Sequence, residues 1–105
     1  MYKKKLVVTV NGYNMELYTI GHTAKILNRS VETLRAWERT QVIPKPMFKY
    51  KNNVRLYHPL EVEAMKKVLR KRKLGKEELR AQMWEALAAI RKEILEQHSQ
   101  VPTEV

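Results

Sequence analysis

Residues 30–39 read Ser-Val-Glu-Thr-Leu-Arg-Ala-Trp-Glu-Arg. Ser30 suits a helix N-cap, because its hydroxyl can accept a hydrogen bond from a free amide of the first turn. Val31, Leu34 and Trp37 recur at three-residue spacing and therefore share one helical face. Glu32, Thr33, Arg35 and Arg39 fall largely on the other sides. The pattern predicts a short helix with an apolar seat and a polar, mostly basic outer surface.

Upstream, Ile20, Ala24 and Ile26/Leu27 mark a second short helix, with Thr19 as its expected cap. Between the two helices, residues 27–30 (Leu-Asn-Arg-Ser) leave room only for a tight turn, and Asn28 tolerates the left-handed conformation such turns require. Helix, tight turn and capped basic helix together form the profile of a helix-turn-helix that reads duplex DNA.

The chain has 105 residues and a formal net charge of +10, which favours a polyanionic partner. The charge is unevenly placed. Residues 25–58 carry eight Lys/Arg against two Glu, residues 59–80 eight against four, and residues 81–105 two against four. Lysines and arginines serving solubility alone would be spread more evenly. No run of about 18 apolar residues marks a membrane span, and Leu6–Val10 is too short for a signal-peptide core. With no cysteine, disulfides and thiolate metal sites are excluded. The expected location is cytoplasmic and nucleoid-associated.

Tyr2–Tyr18 reads as a β-hairpin around Asn11-Gly12, the strongest signal for a two-residue type I′ turn. That turn pairs Val10 with Tyr13, Val8 with Met15 and Leu6 with Leu17, all on one face. The face should dock on the helices or on a partner, since a lone hairpin is marginal in water. After the basic helix, Pro44 and Pro46 force an extended segment. Met47–Lys51 and Val54–His58 then read as strands around Asn52-Asn53, a basic hairpin in the position of a wing. Lys49, Lys51 and Arg55 on it are expected on the DNA backbone, and Arg29, Arg35 and Arg39 are further expected DNA contacts. Trp37 is expected chiefly as a core anchor by its spacing with Leu34, with its indole N–H within reach of a phosphate. His58-Pro59 opens a helix lined by Val62, Met65 and Leu69 and ending in the basic run 66–73. Gly75 breaks it. A last helix over 76–98 carries Leu79, Met83, Leu87, Ile90 and Ile94 at near-coiled-coil spacing, widened by Trp84, Ala88 and Leu95. This stripe either folds back or meets a second copy; the favoured expectation is antiparallel dimerisation through Met83, Leu87, Ile90 and Ile94. Residues 99–105 are expected to be a flexible tail.

Residues 18–27 (Tyr-Thr-Ile-Gly-His-Thr-Ala-Lys-Ile-Leu), 30–39, Val42-Ile43-Pro44 and residues 54–57 (Val-Arg-Leu-Tyr) together resemble the DNA-binding domain of the MerR family. The resemblance covers roughly residues 18–70. It implies a winged helix-turn-helix that binds a palindromic site as a homodimer, with a long C-terminal helix forming the antiparallel contact. It also implies that Thr33, Arg35 and Trp37 occupy DNA-facing positions of the recognition helix, and that Arg55 and Tyr57 are the wing's arginine and tyrosine. The chain departs from the family at the turn glycine, here Asn28, and at the glycine after the recognition helix, here Gln41. The hairpin at residues 1–18 is extra.

An enzyme is not expected. The sequence has neither Asp nor Cys, and His22, His58 and His98 lack ligand spacing. No cofactor, metal or small-molecule effector is expected. The fold expected is α+β, mostly α: N-terminal β-hairpin (1–18), winged helix-turn-helix (19–73), dimerisation helix (76–98) and tail. The function expected is that of a homodimeric, sequence-specific regulator of transcription acting on double-stranded DNA. Alternatives are an excisionase-like DNA-bending factor or a phage packaging DNA-recognition subunit. A basic RNA-binding protein is weaker, since the A-form major groove excludes a recognition helix.

Overall fold

The computed structural model describes residues 5–10, 12–50, 54–71 and 73–99. Lys51, Asn11, the Asn52-Asn53 turn, the first four residues and residues 100–105 lie outside the described residues. The elements run β1 (Lys5–Val10), β2 (Tyr13–Thr19), α1 (Ile20–Leu27), α2 (Val31–Arg39), β3 (Phe48–Tyr50), β4 (Val54–Tyr57), α3 (Pro59–Arg70) and α4 (Lys76–Ser99). The architecture is α+β, with a winged helix-turn-helix between an N-terminal hairpin and a long C-terminal helix.

β1 and β2 pair in the expected register, with Leu6 opposite Leu17, Val8 opposite Met15 and Val10 opposite Tyr13. Gly12 takes a φ of +84°, the left-handed backbone that a type I′ turn needs. Met15 and Leu17 are buried, whereas Val7 on the opposite face is 65% exposed. The hairpin does not stand apart from the wing. Tyr18 pairs with Tyr57 and Thr19 with Leu56, so the two hairpins fuse into one antiparallel sheet ordered β1-β2-β4-β3. The fusion supplies the additional strands that a marginal two-stranded ribbon lacks.

Two apolar clusters hold the molecule together. One gathers Ala24, Leu27, Leu34, Ile43, Val62, Met65, Met83 and Leu87 from α1, α2, the following loop, α3 and α4. The other joins Met15, Leu17 and Leu56 of the sheet to Ile94 near the end of α4, with Ile90 packed against it. The stripe of α4 therefore folds back onto its own chain. Met83, Leu87 and Ile94 are almost wholly inaccessible and cannot form the seam with a second copy in this conformation. The physical reason is proximity: α3 and the sheet present apolar faces that α4 covers at no cost in association entropy. What α4 leaves outward is a second, narrower stripe in which Ala81, Trp84, Ala88 and Leu95 are exposed.

Candidate nucleic-acid interface

The helix pair is set by its caps. Thr19 Oγ1 accepts from the His22 amide at 3.3 Å and starts α1. At the other end Asn28 sits at φ 56°, ψ 47°. The Arg29 amide donates to the Ala24 carbonyl and the Asn28 amide to the Lys25 carbonyl, closing a Schellman motif. Ser30 Oγ then accepts from the Thr33 amide at 3.1 Å and opens α2. Gln41 closes α2 with the same device: φ is +63°, the Val42 amide donates to the Trp37 carbonyl and the Gln41 amide to the Glu38 carbonyl. The glycine expected there is gone, but the backbone keeps the conformation glycine favours.

These caps turn one side of α2 to solvent. Glu32, Arg35 and Arg39 are exposed, while Thr33 is half-buried with its hydroxyl 2.9 Å from that of Ser30. Arg35 pairs with Glu32 at 3.7 Å, one turn away. Arg29 is exposed and donates to the Leu27 and Asn28 carbonyls at the turn. Trp37 is half-buried against the first core, as its spacing with Leu34 implies. Its outer edge joins Arg29, Lys71 and Lys73 along an open groove, so the basic run after α3 lies beside the turn of the helix pair. Lys49 is exposed on the wing.

Two expected DNA contacts are placed differently. Tyr57 is only 2% exposed and lies in the core, so it does not face DNA. Both faces of β4 are covered, which is the reason: Leu56 on one face is buried in the second apolar cluster and Tyr57 on the other in the first. Its hydroxyl has no hydrogen-bond partner among the described residues. Burial, reinforced by the Glu38 carboxylate, raises its pKa well above the ordinary phenol value. Arg55, on the same face of β4 as Tyr57, is half-buried and engaged: its Nε donates to Oε1 of Glu38 on α2.

A second ion pair escaped sequence reasoning altogether. Glu61, 1% exposed in its side chain, accepts from Arg91 Nε of α4 at 2.7 Å and from the His58 amide at 3.0 Å. His58 Nδ1 accepts from the Leu60 amide, completing a capping box. Arg91 also donates to the Lys45 carbonyl at 2.7 Å, and Trp84 Nε1 donates to the Gln41 carbonyl at 2.7 Å. α4 thus grips both ends of the segment that follows the recognition helix. The helix start at His58-Pro59 was legible in the sequence, but the Glu61 half of its cap was not read there, and pairs separated by 17 and 30 residues carry no local signal.

Among the described residues no group of three or more His, Cys, Asp or Glu side chains converges to hold a metal, and no helix is long and apolar enough to cross a membrane. A scan against family models matches residues 18–80 to the MerR HTH family regulatory protein model. No curated protein and no solved structure matches the chain. The matched segment takes in both helices of the pair, the wing and α3, and spans more than half of the 105 residues: the chain belongs to the MerR family of helix-turn-helix regulatory proteins.

Proposed function

We propose that this DNA-binding transcriptional regulator reads its site through the outward face of α2. The observation that carries this is the capped, solvent-facing row Glu32, Arg35 and Arg39 beside the half-buried Thr33. Arg35 has the reach and the fork to take a base edge, while Thr33 and Arg39 lie where they can hold adjacent bases or phosphates. The Arg35–Glu32 pair is an exposed one, worth roughly 0–1 kcal/mol, so DNA displaces it at little cost. Lys49 of the wing, and Arg29 with Lys71 and Lys73 across the groove, meet the flanking phosphates. Residues 19–73 are the DNA-reading part in this account.

The protein acts as a homodimer in this reading, with the contact moved to the outward stripe of α4. Trp84 is 41% and Leu95 59% exposed, and the alanines between them let two helices approach closely. Two recognition helices then enter major grooves at half-sites about one or two turns apart. One observation favours the second reading, monomers on tandem repeats that bend the duplex: Met83, Leu87 and Ile94 are already consumed within one chain.

Selection from a random duplex pool, followed by footprinting and circular-permutation shift, tests both. One palindrome bound by a dimer supports the regulator, and tandem repeats with a large bend support the architectural reading. Arg35→Ala should abolish sequence preference while leaving the circular-dichroism spectrum intact. Retained preference would overturn the assignment of α2 as the reading element.

A further inference from the structure

The wing arginine does not stand free. Arg55 on β4 and Glu38 on α2 join the wing to the inner flank of the recognition helix, 17 residues apart in the chain. The Glu38 side chain is only 10% exposed and that of Arg55 36%. Glu38 sits next to Arg39, yet its carboxylate turns away from the outward row and toward the sheet. The contrast with Glu32 is sharp: Glu32 is exposed at 85%, and its pair with Arg35 is loose at 3.7 Å. A carboxylate held this far from water, against a guanidinium on another element, fixes the relative position of the two elements.

We infer that Glu38 and Arg55 are positioning residues for DNA recognition: Arg55 acts on binding through Glu38, by bracing the wing against the recognition helix, and not by neutralising a phosphate. This rests on the reading of α2 and the wing as the DNA-contacting elements. The chemistry of the two alternatives differs in one measurable respect. A phosphate contact releases counterions, so its loss lowers the slope of log K against log salt by about 0.9. A brace releases none. It sets how well Arg35 and Lys49 reach the duplex together, so its loss weakens binding at every salt concentration alike.

The experiment measures binding of the intact chain to its selected duplex from low to moderate salt. Wild type is compared with Lys49→Ala as the phosphate-contact reference and with Arg55→Ala, Glu38→Gln and the double variant. The expected result is that each brace variant weakens specific binding by about tenfold, the scale of coupling within an ion-pair network. The double variant should weaken it no further, and the salt slope should stay at the wild-type value. Lys49→Ala should lower that slope. A slope lowered by Arg55→Ala as it is by Lys49→Ala would overturn the inference. So would Glu38→Gln binding as tightly as wild type or tighter, the expected effect of simply removing a negative charge beside DNA. If Arg55→Ala loses its folded circular-dichroism signal, Arg55→Lys replaces it. Lysine keeps a charge for phosphate but loses the aligned Nε donor, so weakening supports the brace and wild-type binding refutes it. If wild type selects no duplex at all, the DNA reading itself fails and the brace falls with it.

Discussion

Truncating Arg91 to alanine should cost this protein a large share of its stability, although Arg91 is not among the proposed DNA contacts. The side chain does two jobs. It pairs with Glu61, 1% exposed, and it donates to the Lys45 carbonyl in the loop after α2. Arg91→Ala leaves the Glu61 carboxylate buried with only the His58 amide for company. Breaking a buried pair on one side costs about 3–5 kcal/mol. Arg91 itself is 20% exposed, so water can enter where the guanidinium was, and the lower end, about 3 kcal/mol, is expected. Against a total stability of about 5–15 kcal/mol this is a severe loss. It corresponds to a fall in melting temperature of about 12–24 °C for a domain of this size. Urea and thermal unfolding followed by circular dichroism would measure it. Adding Glu61→Gln to Arg91→Ala removes the stranded charge while retaining an acceptor for the cap, so the double variant should recover part of the loss. A single-variant loss below about 1 kcal/mol, the size of an ordinary surface effect, would refute the argument. A double variant no better than Arg91→Ala would refute it too.

Gln41→Gly should stabilise the chain by about 1 kcal/mol, because a side chain at φ +63° is strained and Trp84 is held by the backbone carbonyl, which glycine retains; the urea midpoint reports it. Tyr57→Phe should leave DNA affinity unchanged, since the hydroxyl is buried, and should leave stability at neutral pH unchanged or higher by about 1 kcal/mol, since the lost group has no partner among the described residues. The same variant carries a pH signature. The phenol is raised in the folded state while the unfolded chain ionises near about 10, so wild type loses stability as pH climbs past about 10 and Tyr57→Phe lacks that increment. Ile94→Ala should lower stability by about 2–5 kcal/mol as a core truncation. Its neighbour Leu95→Glu should leave stability within about 0.5 kcal/mol but halve the mass seen by light scattering; an unchanged mass would exclude the outer face of α4 as the dimer contact.

Much of the site was legible because its signals are local. Ser30 three residues before Thr33, Asn28 at a turn too short for anything else, and Asn11-Gly12 between alternating residues each specify a backbone conformation through hydrogen bonds within a few positions. The exposure of Arg35 and Arg39 followed from helical periodicity alone. Tyr57 and the stripe of α4 were less legible, because periodicity shows which residues share a face and not what covers that face. For Met83, Leu87 and Ile94, the chain's own α3 and sheet are the partner.

By itself, the sequence determined the element types, the caps, the hairpin register and the basic outer surface of α2. All of these are settled by interactions between residues close in the chain. Only the tertiary structure decided that β2 pairs with β4, that α4 folds back, and that Glu38 meets Arg55 and Glu61 meets Arg91. Those outcomes depend on which buried faces and charges find one another across long loops. That choice is made by burial and desolvation of the whole molecule, for which no short stretch of residues carries a code.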